Sequence, residues 1–156
     1  MTDIPDLNLH VSRYSNKAIA DSGLAPIRFT LGHPRWKLPY TIAGQIKILA
    51  PTKAEFALSS DHDAFTAAYR GRLDTLNPAD IAADIAAIIA ATPGATGAVL
   101  LCYEDVRLGD LCHRSLFANW WEATTAHVVH ELHDPTEPKK HTHKKKATTV
   151  APPTLF

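Results

Sequence analysis

The sequence predicts a single α/β domain with a mainly parallel central sheet flanked by helices. Three observations carry that expectation. Ala98–Tyr103 is a continuous apolar run bounded by glycine and acids, which reads as a central strand covered on both faces. Strand-like segments alternate with helical ones through the second half of the chain, the pattern of a layered parallel sheet. The length of 156 residues, 46% of them apolar, suits one domain with one core.

Taken in order, residues 1–7 are polar and contain Pro5, and read as a flexible N-terminus. Leu7–Tyr14 alternates apolar and polar residues at the period of a strand. A short helical stretch follows at Asn16–Asp21 and stops at Gly23. Ile27–Leu31 is strand-like again, with β-branched residues around Phe29. Gly32–Tyr40 holds Pro34 and Pro39 among Arg35, Trp36 and Lys37, and is therefore a loop rich in cations and aromatics. Lys53–Leu58 reads as a short strand. Phe65, Tyr69, Leu73 and Leu76 fall close to helical spacing, with Asp61 or Asp63 at the amino-terminal end. Asn77 and Pro78 open the best-marked helix, whose stripe is Ile81, Ile85, Ile88 and Ile89, and Pro93-Gly94 ends it. After Ala98–Tyr103 come a loop at Glu104–Asp110 and a helix at Leu111–Ala126 capped by Asp110. A last strand follows at His127–Leu132. Trp120 and Trp121 are adjacent on that helix, so one is expected to pack and the other to line a pocket or a dimer contact. The α/β domain spans residues 8–133, and 134–156, rich in Lys, His and Pro, reads as a disordered basic tail.

The zero net charge hides separated blocks. Residues 135–156 hold five Lys against one Glu, and residues 10–53 hold seven Lys and Arg against Asp21 alone. Such blocks create anion-attracting regions in a neutral protein. No apolar run approaches a membrane span, and the N-terminus lacks the pattern of a secretory signal, so no membrane partner is expected. Two Cys fit a reducing cytoplasmic setting. A Walker loop, a dinucleotide-binding glycine triplet and a nucleophile elbow are missing from the sequence.

The strongest local pattern is Cys102-Tyr103-Glu104 at a strand end, followed by Cys112-His113-Arg114 at a helix start. Unsatisfied amides and the macrodipole at a helix start favour an anion, and Arg114 adds a planar cation for phosphate or carboxylate. Cys112 would have its thiolate stabilised there as a nucleophile or redox-sensitive thiol, with His113 and Glu104 as acid/base candidates. The alternative is structural: Cys112 packs inward as a small apolar residue and Arg114 pairs with a nearby acid.

Residues 100–121, LLCYEDVRLGDLCHRSLFANWW, resemble the signature segment of the DUF488 family, small proteins with a Cys-x-Glu element followed by Cys-His-Arg. Ser12–Lys17 is similar to that family's early Gly-Tyr-Ser-Asn-like turn, and Ile27–Trp36 sits where its members have a strand ending in Asp-Val-Arg. The resemblance covers roughly residues 8–132. It implies an α/β fold and a shared pocket at Cys102, Glu104, Cys112, His113 and Arg114, with Arg35 standing for a family arginine. Thr30 or its neighbours replace the Asp usual in that family.

Other chemistries compete. Cys102, Cys112, His113 and one of His127, His130 or His133 number enough for zinc, but the spacing matches no zinc ribbon or finger, so neither metal nor cofactor is assigned. A Cys102–Cys112 disulfide would act as a redox switch more than as a staple. Arg13, Arg28, Arg35 and Lys37 beside Trp36 and Tyr40, together with the tail, offer a non-specific nucleic-acid surface. The leading expectation is a small enzyme or enzyme-derived domain that binds a phosphorylated or nucleotide-like ligand at the junction of strand 98–103 and helix 111–126. Arg114, Cys102, Arg13, Tyr14, Asn16, Arg35 and Trp36 are its binding candidates. The rival is a nucleic-acid-associated accessory protein with a vestigial pocket.

Overall fold

In a computed structural model, residues 3–104, 106–108 and 112–138 are described. Five strands, β1 (Leu9–Arg13), β2 (Leu24–Arg28), β3 (Gly44–Gln45), β4 (Gly97–Cys102) and β5 (His130–Glu131), form one sheet in the order β3-β2-β4-β1-β5. Every pairing is parallel, including those of the amino-terminal half. β4 lies at the centre and is buried along its whole length, as its unbroken apolar run requires.

Helices α2 (His62–Leu73), α3 (Pro78–Ala91) and α4 (His113–Thr125) share the main core with Leu9, Val11, Ala25, Ile27, Ala98, Leu100 and Cys102 from one sheet face. The opposite face is thinner. Tyr14, Ile19, Leu24, Val99 and Leu101 are covered there by Leu38 and Tyr40 of the proline-containing loop and by Ile42 just after it. Asp61 caps α2 through Ala64 N–H, and Asn77 caps α3 through Ala79 N–H with Pro78 at the first turn.

Several expectations are corrected. Lys53–Phe56 is a helical turn, α1, and not a strand, because Thr52 and Glu55 form a reciprocal capping box. Arg72 then holds Glu55 at 2.6 Å. β2 lies three residues earlier than its apolar pattern suggested: Leu24–Arg28 pairs with Gly97–Leu101. Pro26, which has no N–H for a ladder, masks that start. The last strand shrinks to His130–Glu131 after Ala126 ends α4 in a left-handed conformation. Trp120 and Trp121 are both buried, the first donating to Asp74 at 3.1 Å, so neither ring lines an open pocket.

Ile4 and Leu7, in the segment expected to be flexible, pack against the main core. Asp134, at the start of the expected tail, has a buried carboxylate, and residues 139–156 lie outside the described residues, as does Asp110. The cap position of α4 belongs to Cys112, whose side chain makes no capping bond. No helix among the described residues is long and apolar enough to cross a membrane.

Gly97 sits where the start of β4 is tightly crowded by Asn8. A Cβ there would collide with the backbone oxygen of Asn8 and with the Asn8 side chain. Gly97→Ala is expected to cost about 2 kcal/mol, the scale of an overpacked interior site, and urea unfolding measures it. A loss below 0.5 kcal/mol would mean that the β1–β4 edge yields freely.

Candidate functional site

The carboxyl ends of β1 and β4 lie side by side, with Arg13 opposite Cys102 in register. The first turn of α4 closes over them, bringing Cys112, His113 and Arg114 to the same end of the sheet. All four of Cys102, Cys112, His113 and Arg114 are at most 1% exposed. The sulfurs of Cys102 and Cys112 are in bonding contact.

His113 sits between Phe29 and Tyr69, with ring centroids 4.4 and 5.6 Å away. Its Nε2 lies 2.8 Å from the carbonyl of Phe29, which accepts only, so Nε2 carries the proton. That leaves Nδ1 with its lone pair directed to Cys112 Sγ at 3.9 Å. Burial, aided by the charges of Arg114 and Arg72, pushes the imidazole down to about 3 against the Phe29 hydrogen bond, so it is neutral near pH 7.

Arg114 is held on three sides. Nε and Nη2 donate to the Glu131 carboxylate, the latter at 2.8 Å, while Nη1 donates to the Glu104 carbonyl at 2.6 Å and to Cys102 Sγ at 2.9 Å. The expected acid partner of the structural alternative is therefore Glu131, on β5. Glu104 joins this group through its backbone carbonyl.

Beside Arg114 is a cavity of about 180 Å³ lined by Arg13, Arg107, Arg114, Glu131, Leu132, His133 and Asp134. The Asp134 carboxylate accepts from Arg13 Nε at 2.6 Å and lies 3.4 Å from Arg107 Nη2. Burial works to raise the Asp134 pKa, but hydrogen bonds from Arg13 and the Thr136 N–H, with the two arginine charges, overcome it and hold the carboxyl below its ordinary value. Arg107 also donates to the carbonyls of Asp134 and Thr136.

The remaining candidates lie apart from this cavity. Asn16 is buried and structural: it caps the turn at Lys17–Ile19 and donates to Ser12 and to the carbonyls of Leu132 and His133. Tyr14 is buried on the thin face, donating to Thr30, which donates in turn to Gly32. Burial raises the Tyr14 phenol to about 12. Tyr103 stands 5.0 Å from Tyr14 and 6.1 Å edge-on to Trp36, a residue 47% exposed. Exposed Arg35 and the partly buried Arg28 add positive potential near Tyr103, and Arg28 Nε is buried without a hydrogen-bond partner among the described residues.

Of the histidines weighed as zinc ligands, His113 alone is brought to the cysteines: Cys102, Cys112 and His113 place their ligand atoms within 4.8 Å of one another. His127 instead bonds the carbonyl of Ile4 at 2.6 Å, and His130 faces His10.

Arg107, Glu131 and Asp134 were not singled out from the sequence. An acid inside the apolar pattern Val128–Leu132 was the available signal for Glu131. Nothing local marks Asp134 as a partner of Arg13, 121 positions away. Compared with family models, curated proteins and solved structures, the chain matches none.

Proposed function

We propose that this protein binds a phosphorylated small molecule at the carboxyl edge of its sheet, with the anionic group in the cavity beside Arg13, Arg107 and Arg114. The observation that carries this reading is the Asp134 carboxylate, an internal anion already bridging Arg13 and Arg107. Guanidinium groups that hold a carboxylate this way offer the planar donor pattern that phosphate also accepts. The resemblance of residues 100–121 to the DUF488 family supports a pocket at the same edge. Arg114 shapes the cavity wall while bound to Glu131, and the direct anion contacts fall to Arg13 and Arg107.

The reading is tested by a thermal-shift screen of the full chain against sugar phosphates, nucleotides and inorganic phosphate. A ligand at ~100 times its Kd adds about 2.7 kcal/mol, several degrees in a domain of this size. Arg13→Ala is expected to abolish the shift, and Asp134→Asn to tighten binding by removing the competing carboxylate. Binding unchanged in both variants would overturn the assignment.

A second reading has its own observation. The ring of half-exposed Trp36 against Tyr103, beside Arg28 and Arg35, offers a cationic stacking surface of the kind that binds single-stranded nucleic acid. It is favoured if an oligonucleotide quenches tryptophan fluorescence in the wild type and not in Trp36→Ala, with Arg13→Ala unaffected.

A further inference from the structure

We propose that, with its two thiols reduced, this protein holds one thiophilic d10 cation, Zn(II) or Cu(I), between Cys102 Sγ, Cys112 Sγ and His113 Nδ1. The inference does not rest on the anion reading of the arginine-lined cavity, which it adjoins through Arg114. It begins with placement. The end of β4 supplies one sulfur, and the cap and first residue of α4 supply the other sulfur and the imidazole, with all three ligand atoms within 4.8 Å of one another and fully buried.

The backbone spacing also leaves room for an ion once the two sulfurs are reduced and parted. The two Cα atoms are 7.5 Å apart, wider than the roughly 4.4–6.8 Å that a disulfide usually spans. Once reduced, the sulfurs can separate by side-chain rotation and leave a position between them without bringing β4 and α4 closer.

The surroundings are those of a ligand set. A metal-binding histidine ordinarily donates its second ring N–H to a carbonyl or carboxylate, which fixes the tautomer and the ring plane. His113 does this through Nε2 to the Phe29 carbonyl at 2.8 Å, leaving Nδ1 turned to Cys112. Cys102 Sγ in turn accepts from Arg114 Nη1 at 2.9 Å. That charged N–H offsets part of the negative charge that two coordinating thiolates carry. The donor set contains no carboxylate, so hard ions such as Mg²⁺ and Ca²⁺ are poorly served, whereas two thiolates and an imidazole suit Zn(II) and Cu(I). Cu(I) can be satisfied by the three protein ligands alone. Zn(II) would take a fourth ligand from solvent or from a bound molecule. Binding releases the two thiol protons and changes no oxidation state.

The test uses the full chain, reduced with a non-chelating phosphine under argon and titrated separately with Zn(II), with Co(II) as its coloured substitute, and with Cu(I). One ion per chain, a sulfur-to-metal charge-transfer band with Co(II) or Cu(I), and protection of both cysteines from alkylation are expected. Cys112→Ser should lose the band, and His113→Gln should weaken binding by about tenfold or more. If the serine variant does not fold, stoichiometry, band and alkylation protection of the wild-type chain decide the matter. A reduced chain that takes up no ion overturns the proposal. So does uptake without the sulfur band, which assigns the ion to histidines elsewhere.

Discussion

Glu131→Ala is expected to destabilise the protein by about 3 kcal/mol, the lower end of what removing one partner of a buried ion pair costs. The lower end applies because the Glu131 side chain is 37% exposed whereas that of Arg114 is 1% exposed. Without Glu131, the Arg114 guanidinium remains under α4 with its Nε and Nη2 donors unmatched and its charge uncompensated. Glu131→Gln keeps an acceptor and should lose about half as much, because only the charge is removed. Urea unfolding of both variants makes the comparison, and a loss under 1 kcal/mol for the alanine variant would show that Arg114 is matched by another group or by water. The position bears on the cavity too, because Glu131 and Arg114 form part of its wall.

Phe117→Ala is expected to have the largest effect, about 4 kcal/mol. The ring is fully buried on α4 and meets Phe29 edge-on at 5.8 Å, Trp121 at 5.7 Å and Trp120 at 6.1 Å. Phe29 in turn packs against His113 and positions it through its carbonyl. The cavity left by the missing ring would lie next to the histidine, so this substitution should also loosen the site. Calorimetry should record a fall in Tm on the order of 10–15 °C. Phe117→Leu, which keeps most of the volume, should cost less than half as much. Equal losses for alanine and leucine would show that ring geometry, and not filled volume, governs this part of the core.

The elements most legible in the sequence were those with strong local causes. Asn77-Pro78 opens α3 and Asp61 opens α2 because capping chemistry acts within three residues. β4 was readable as a central strand because a strand covered on both faces has no polar side to show. The capping box at Thr52 and Glu55 was equally local, but the apolar content of Lys53–Leu58 obscured it. β3, only two residues long, had no periodicity to detect.

The site divides in the same way. Cys102, Cys112, His113 and Arg114 were recognisable as a group, since a strand end and the following helix start meet wherever that helix packs back on its own sheet. Inward packing of Cys112 and an acid partner for Arg114 were one of the two readings open to the sequence, and the structure has both; the enclosure of His113 was not recognisable. A helix start exposed to solvent and one closed under aromatic rings have the same local sequence, and Phe29 and Tyr69, which enclose His113, come from distant segments. Tyr14 and Asn16 joined the candidate site through the family-like turn at Ser12–Lys17, and Trp36 through its loop of cations and aromatics, and neither signal says which sheet face a residue takes. The sheet assigns Tyr14 and Trp36 to its thin face, and makes Asn16 a structural tie between the turn after β1 and the segment after β5.

Residue type and spacing by themselves determined an α/β chain with a cysteine-, histidine- and arginine-bearing junction after its central strand. Tertiary structure alone decided the pairing of that chemistry: Arg114 with Glu131, Arg13 with Asp134, and His113 with the Phe29 carbonyl. The physical reason is range. Caps and periodicities act over a few residues, whereas a buried charge or imidazole is matched by whichever polar group the packed sheet brings within hydrogen-bonding distance.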